Sequence, residues 1–575
     1  MELNSCAREN ISAINFSSLC DTEVRKRAGE NQCKKFDLDY LIQQIGPFGK
    51  FQRRIVFLIC ITNFFLVDYT TMFIFTAGEV NYRCRIPECE AENAAFSADF
   101  LNFTTPAVEG NFAKCKRFPK LSNISLEDQC QGEFFDKNHT EECSELIYQN
   151  DEKTIQNEWN LGCSEDWKLS LVGTVNGIGQ VVCLPLVGYI SDRYGRRTAF
   201  ILSAFFAAFL GLLRSFSTNF TMFVILEFLD PALNSGMFNA GFLLGMELVG
   251  PSRRALVAFC LLVACTMGSV GLGVLVMFVK HWRLLLRIVY LPSFIFMTYY
   301  WFIPESIRWL YKKNRLVEAS NVIISAAKTN SSQLTLKAQT MLKEASKNPS
   351  ENDLNKIESV NKDTKESRLG LILKSKTLLI RIVNCSFYWA AMSFAYTGLN
   401  MNSVMIAGDK HVNFILNILI EIPANLICCW LMEKIGRRTI LSLSQISCGL
   451  ACIASIFLKE APVSAQTTVF LIGKLGASVS YSIVSVYTSE IFPTTLRHTL
   501  VSICSILGRT GSTLAPFTLF LGKYMESMEM ILFASMTIPA GIFILFAPET
   551  LNQPLPDTIQ EAEDIGKIKK CRHLL

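Results

Sequence analysis

Histidine is scarce in this chain, and the patterns that usually carry chemistry are missing. Only five histidines occur in 575 residues, His139, His281, His411, His498 and His573, and none lies near the middle of an apolar run. No Cys-x-x-Cys pair accompanies a histidine, so the ligand sets of a zinc site are absent and no metal or cofactor is expected. No Gly-x-x-x-x-Gly-Lys-[Ser/Thr] loop is present, which leaves an ATP-driven pump without its phosphate cradle. Charged residues make up 18% of the chain. With no paired nucleophile and base, no enzymatic activity is expected.

What is abundant is apolar. Half of the residues are hydrophobic and phenylalanine alone contributes 42. About 20 apolar residues span a bilayer, and twelve such runs are read at 55–78, 169–190, 198–216, 220–246, 255–278, 284–302, 378–399, 412–432, 439–457, 465–487, 501–521 and 530–547. The first follows 54 polar residues with many charges, so it is not a cleavable leader. Lipid offers the backbone no hydrogen-bond partner, so each run is expected to be helical. The expected fold is an all-α membrane protein of twelve transmembrane helices, six on each side of a polar gap.

The charges orient these spans. Arg193, Arg196, Arg197, Arg253, Arg254, Lys434, Arg437, Arg438 and Arg497 all fall in short connections on one side of the membrane. The positive-inside rule makes that side the cytosol. The segment 1–54, the central loop 303–377 and the tail 548–575 are then cytosolic, and 55–302 and 378–547 are the two six-helix halves. Residues 305–376 carry fourteen Lys/Arg against eight Asp/Glu. Without interleaved aromatics or a known module, that excess does not indicate nucleic acid. Two stretches, RLVEASNVIISAAK and LTLKAQTMLKEA, read as short amphipathic helices, and residues near 347–367 read as disordered. Residues 79–166 have eighteen acidic and eight basic residues and fall outside. They hold Cys84, Cys89, Cys115, Cys130, Cys143 and Cys163, an even number suited to disulfides whose pairing is left open. They also hold glycosylation sequons at Asn102, Asn123 and Asn138.

The stretch SDRYGRRT, Ser191 to Thr198, returns as MEKIGRRT, Met432 to Thr439. ELVGPSRRA at Glu247 is matched by EIFPTTLRHT at Glu490, and PES at Pro304 by PET at Pro548, with nearly the same offset. Three landmarks at one spacing indicate two homologous halves in parallel orientation, the architecture of major facilitator transporters. Gly195 and Gly436 allow the tight turn. Asp192 and Glu433, with Arg193, Arg196, Arg197, Arg437 and Arg438, are expected to form a charge latch at the seam between halves. Glu247 and Glu490 are assigned to the same gating set.

The chain also resembles the organic cation, organic anion and carnitine transporter family of that superfamily. LDYLIQQIGPFGKFQRR, NEWNLGCSEDW, GYISDRYGRRT, IEIPANLICCWLMEKIGRRT, GKLGASVSYSIVSVYTSEIFPTTLRHT and PETLNQPLPDTI carry the resemblance nearly end to end. It implies that Glu421 of EIPA, Lys474 of GK and Arg509 of SILGRTGS line a central cavity. It also implies aromatic walls from Trp389 and Tyr396, which are seven residues apart on one helix face, and from Phe238. Cation-selective members have Asp at the position of Arg509, whereas Arg is similar to the anion and carnitine branches.

In-span charges normally face a cavity or a partner. Besides those three they include Asp68, Glu227, Asp230 and Arg381; Arg283, Arg287 and Arg381 are read as anchors. Arg509 would bind an anionic group, with Glu421 and Asp230 meeting a positive one. The blander alternative is an internal Arg509–Glu421 pair. The expected function is a plasma-membrane facilitator of small organic ions working by alternating access, with both termini cytosolic and zwitterions or anions preferred. A polyspecific cation carrier and a non-transporting receptor on the same fold are the alternatives, and no coupling ion is assigned.

Overall fold

A computed structural model describes residues 38–565, apart from 47, 91–94, 109–110, 122–129, 150–151, 251–252, 347–374, 407, 459, 494–495, 523–524, 526, 552, 554–555 and 557–558. The proposed disordered stretch, the sequon at Asn123 and most of segment 1–54 lie outside the described residues, as does the side chain of Asp68.

All twelve apolar runs are helical. Span 1 is Lys50–Thr71, span 2 Trp167–Tyr194, span 3 Arg196–Arg214, and span 5 Arg254–Phe278. Span 7 is Lys376–Asn402, span 9 Arg437–Phe457, span 10 Val463–Ile491, span 11 Arg497–Gly522 and span 12 Met528–Ile544. Among the described residues, nine helical stretches are long and apolar enough to cross a membrane without further argument.

Spans 4, 6 and 8 depart from the continuous runs read from hydropathy. Span 4 breaks into Phe220–Asn234 and Met237–Leu248. Pro231 lacks the N–H that the ladder needs, and Asn234, Ser235 and Gly236 are poor helix formers that follow it. Span 6 consists of Trp282–Tyr290, a 3₁₀ turn Pro292–Thr298 and Tyr299–Phe302. Span 8 is Lys410–Leu419 followed by Glu421–Lys434.

The described residues of 79–166 form a small disulfide-bonded unit at one end of the bundle. Cys84 pairs with Cys143, Cys89 with Cys130, and Cys115 with Cys163, at Cα separations of 5.5, 4.9 and 5.5 Å. These distances are ordinary for disulfides. Among the described residues three two-stranded antiparallel pairs accompany them, the longest joining Tyr82–Cys84 to Leu146–Tyr148. Asn102 and Asn138 are exposed on this unit.

The opposite end carries the repeated arginine turns, and there the structure explains the duplication. Gly195 and Gly436 have φ of +111° and +99°, a region that favours glycine because it has no Cβ. A Cβ on either would also collide with a carboxylate, that of Glu305 on Gly195 and that of Glu549 on Gly436. Glu305 accepts from the backbone N–H groups of Arg196 and Arg197 at 2.8 and 3.1 Å. Glu549 does the same for Arg437 and Arg438 at 2.9 and 3.2 Å. An anion on the free N–H groups of a helix start is stabilised by hydrogen bonds and by the helix dipole. The Glu of PES and of PET is thus the lid on the turn, a role that the expected Asp192 and Glu433 pairs do not fill.

The helices of the central loop pack on this same end. Helices Leu316–Asn330 and Leu336–Ser346 match the two amphipathic stretches. Asn330 bonds the backbone of Phe51 and Ile45 at 2.8 and 2.9 Å, tying the central loop to the entry of span 1. Arg381 donates to the carbonyls of Ala562 and Ile565 at the end of helix Ile559–Asp564, which makes it an anchor.

The two halves touch through spans 2 and 11 and through spans 5 and 8. Gly173 meets Pro516, Gly177 meets Thr513, and Gly273 meets Phe414 and Ile415. All three contacts are in the portions nearer the disulfide-bonded unit. Gly188, on the same face of span 2 toward the arginine turns, has nothing within 4 Å of where a Cβ would stand. Within the C-terminal half, Gly508 and Gly511 let span 11 press against span 7 at Trp389 and Ala390. Gly511→Val should therefore lower the thermal stability of the purified protein, by about 1–3 kcal/mol for an overpacked site. Gly188→Ala, into open space, should leave it unchanged or slightly higher.

Candidate functional site

Midway along the bundle, span 7, both pieces of span 8 and span 10 bring polar side chains together. Lys474 is wholly buried, and its ammonium donates to Asn400 Oδ1 at 2.6 Å and to Glu421 Oε1 at 2.8 Å. The same ammonium sits 3.6 Å from the centre of the Tyr396 ring. Tyr396 donates its hydroxyl to Glu421 Oε1 at 2.5 Å and stacks on Tyr481 at 4.6 Å. Asn417 holds Asn400 from the other side at 2.8 Å. Burial of an ammonium demands such a set, since an unpaired charge in a low-dielectric interior costs several kcal/mol.

Spacing puts these groups on facing surfaces. Tyr396 and Asn400 are one turn apart on span 7, and Lys474 and Tyr481 are two turns apart on span 10. Glu421 opens the second piece of span 8, where a helix N-terminus favours a carboxylate. The break at Ile420 places it there.

Arg509 lies on span 11, which packs against span 7 at Gly508 and Gly511. Its Nη1 donates to Gln180 Oε1 of span 2 at 3.1 Å, across the boundary between halves. Glu421 is taken by Lys474, so the Arg509–Glu421 pair considered from sequence is not formed. Trp389 is half-buried and donates its indole N–H to Thr488 at 3.0 Å. Phe238 stacks on Phe242 at 5.8 Å and packs partly against the core of the N-terminal half. The six residues expected at one site therefore divide into four places: Lys474, Glu421 and Tyr396 together, Arg509 at the seam with span 2, Trp389 against Thr488, and Phe238 against Phe242.

Asp230 does not join the site, contrary to expectation. It is wholly buried within the N-terminal half together with Glu227 and Arg214. Arg214 pairs with Glu227 and lies 3.5 Å from Asp230. Tyr290 bridges them, accepting from Arg214 at 2.8 Å and donating to Asp230 at 3.1 Å. A cation as close as Arg214 removes both acids from the set available to a substrate. The sequence reading passed over Arg214, Asn400, Gln180 and Tyr481. Arg214 was visible as a charge inside the third apolar run, and Gln180 as a polar residue inside the second.

The gating residues pair within their own halves. Arg196 bonds Asp192 at 2.9 Å and lies 3.6 Å from Glu247, and Arg437 lies 3.2 Å from Glu490. Ser306 donates to Glu247, and Thr550 to Glu490 at 2.6 Å. Arg193 and Glu433 are exposed, and Arg197 and Arg438 reach backbone carbonyls of Tyr300 and of Leu545 and Ala547. At the other end the halves are joined by charge: Glu152 of the disulfide-bonded unit bonds Lys410 at 2.5 Å and lies 3.3 Å from His411. Burial raises the Glu152 pKa, but the hydrogen bonds and charges of His411 and Lys410 outweigh it and hold the carboxyl at about 2.

Two six-helix bundles around a central polar site define a membrane transporter of the major facilitator type, and residues 154–516 match the Major Facilitator Superfamily. The xylose transporter XylE of E. coli, in an inward-open conformation, shares the fold with a TM-score of 0.59 at 15% identity, over 90% of this chain and 100% of that one. Mouse solute carrier family 22 member 3 is 31% identical over 92% of this chain and 96% of its own length. A Drosophila melanogaster organic cation transporter-like protein is 28% identical over 93% of this chain and 94% of its own. The chain belongs to solute carrier family 22, the organic cation, anion and carnitine transporters of that superfamily, and it is a multi-pass membrane protein and not an enzyme.

Two outcomes test this geometry. Lys474→Met should destabilise the detergent-purified protein by about 3–5 kcal/mol, because Glu421 loses its partner; adding Glu421→Gln should restore most of the loss in thermal unfolding. Because the Glu152 carboxyl is depressed from its ordinary 4.5 to about 2, its bridge is intact above the ordinary value and is lost as pH falls toward 2. Glu152→Gln should accordingly raise thiol-reagent labelling, at neutral pH, of a cysteine placed at the buried Ser170.

Proposed function

We propose that this protein carries small organic ions across the plasma membrane by alternating access, with the disulfide-bonded unit outside and the arginine turns, both termini and the central loop in the cytosol. Asn102, Asn123 and Asn138 are then glycosylation sites on the outer face. Contacts between the halves near the outer end, with open space at Gly188, correspond to an inward-facing state. In the opposite state Asp192 and Glu433 with Arg193, Arg196, Arg197, Arg437 and Arg438 meet across the seam, while Glu247 and Glu490 hold the arginines in reserve.

The substrate carries an anionic group, alone or within a zwitterion such as carnitine. The charge balance of the central site is the observation behind this reading. Lys474 cancels Glu421, and Arg214 engages Glu227 and Asp230. Arg509 has the neutral Gln180 as its hydrogen-bond partner, which leaves its guanidinium charge for a carboxylate, with bidentate geometry available. The face of Tyr396, a natural seat for a substrate cation, is already occupied by Lys474. Trp389, Tyr396 and Phe238 supply apolar walls.

The names of the relatives support a second reading, a polyspecific organic cation carrier in which a substrate cation displaces Lys474 from Tyr396 and Glu421. Uptake of labelled L-carnitine, glutarate and tetraethylammonium into oocytes separates the two. On the anionic reading carnitine or glutarate enters, Arg509→Asp lowers that uptake at least about tenfold (1.4 kcal/mol), and tetraethylammonium uptake rises. An unchanged selectivity profile removes Arg509 from the pocket. No uptake of any probe, with normal surface expression, favours a receptor.

A further inference from the structure

The cluster of Arg214, Glu227 and Asp230 has no part in the substrate site, yet it is the most completely buried set of ionisable groups in the N-terminal half. Their side chains are 0%, 1% and 0% exposed. One guanidinium faces two carboxyls. With both ionised, the pocket holds an excess negative charge away from water, which costs several kcal/mol even after relaxation. Binding one proton removes the excess.

The hydrogen bonds distinguish the two acids. Glu227 is paired closely with Arg214 and accepts from Asn176 Nδ2 at 2.7 Å, so donors engage both of its oxygens. Asp230 is farther from Arg214, at 3.5 Å, and its Oδ2 accepts from the Tyr290 hydroxyl at 3.1 Å. Its Oδ1 touches the amide of Asn234, whose own Oδ1 is buried without a hydrogen-bond partner. Amide oxygen and nitrogen exchange places by a half-turn. Turned so, the orphan oxygen of Asn234 accepts a hydrogen bond from the O–H of protonated Asp230. Asn234 therefore serves either form of the acid, donating to the carboxylate and accepting from the carboxylic acid.

Other charged or titratable groups surround the cluster. Tyr69 of span 1 stacks on Tyr290 at 4.9 Å. Cys183 of span 2 lies against the Gly236 N–H at 3.1 Å. On span 6, Arg287 lies 3.3 Å from Ser215, and Arg283 is engaged by Glu158 and by the carbonyls of Ser215 and Ser217. The last group is Arg509, reached through two amides. Gln180 Nε2 donates to Asn176 Oδ1 at 2.9 Å, and Arg509 donates to Gln180 Oε1 at 3.1 Å.

The series Arg509, Gln180, Asn176, Glu227 thus runs from one half into the other. Parting spans 2 and 11 breaks its first link, lets both amides turn, and withdraws a donor from Glu227, which changes the balance of charge that Arg214 must meet. We propose that Asp230 is a proton-binding site whose occupancy is linked through Glu227, Asn176 and Gln180 to Arg509, so that passage of an organic ion is coupled to uptake and release of a proton. The coupling rests on the transporter reading above. In each cycle the Asp230 carboxylate takes one proton from water and later returns it, and no other bond is made or broken. Linkage requires the effect to be mutual, so the proton also favours one arrangement of the halves.

Infrared spectroscopy of the purified full-length protein tests the site without substrate. The C=O band of a protonated carboxyl should persist well above the ordinary Asp value of about 4. It should vanish near neutral pH in Asp230→Asn, and also in Glu227→Gln, where Arg214 has a single acid to balance. Gln180→Ala, outside the buried cluster, should move the band's midpoint by at least about half a pH unit, a roughly threefold change in proton affinity. Persistence of the band in Asp230→Asn, or an unmoved midpoint in Gln180→Ala, overturns the proposal. In proteoliposomes holding a pH dye, uptake of L-carnitine or tetraethylammonium should shift the internal pH; uptake with a silent dye overturns the coupling. Failure of every probe to enter overturns the transporter reading instead, and the substrate-free band keeps the two failures distinct.

Discussion

A charge inside a helix bundle embedded in lipid must find its counter-charge or hydrogen bonds within a few ångströms, because desolvation otherwise costs several kcal/mol. That constraint organises the interior of this protein. Lys474 is met by Glu421, Asn400 and the face of Tyr396. Arg214 is met by Glu227, Asp230 and Tyr290. Arg381 caps the end of the C-terminal helix. Arg509 stands apart from these, held by an uncharged amide from the other half. A side chain that is costly to bury and is not neutralised by its surroundings is where a ligand of opposite charge gains most.

The same physics accounts for the repeated turns. A helix that begins in a tight turn exposes N–H groups with no internal partner. Glu305 and Glu549 each arrive from the far end of their own half to cover them, above a glycine whose missing side chain leaves room. Because each lid closes within one half, the halves are internally stapled at the arginine end and can move as bodies. At the other end Glu152 joins the disulfide-bonded unit to Lys410 and His411 of the second half. On the proposed alternating-access cycle the Arg509–Gln180 bond is one of the polar links between the halves that must break.

The large features were legible in the chain because they rest on period and composition. Twelve apolar runs became twelve spans, and three landmarks at one offset became two halves. Cavity residues carried over from family resemblance were partly gathered: Lys474, Glu421 and Tyr396 meet, whereas Trp389 and Phe238 sit on separate walls. The breaks in spans 4, 6 and 8 were not read, since hydropathy is blind to a Pro231 or a Pro292 that leaves the apolar run intact. Asp230 was misplaced for a different reason. Its partner Arg214 lies on another helix, and side-chain pairing between helices leaves no mark in spacing along the chain. Glu305 and Glu549 were on view in PES and PET, but only the fold reveals that they reach back to Gly195 and Gly436.

Arg509 as the cation that a substrate must satisfy is the claim on which the functional account turns. Equilibrium binding of L-carnitine to the purified protein, compared with its carboxamide analogue, which keeps the ammonium and size but loses the negative charge, tests it most directly. The expected result is that the carboxylate form binds at least about tenfold more tightly, equivalent to 1.4 kcal/mol. Equal affinity, or tighter binding of the amide, would contradict it.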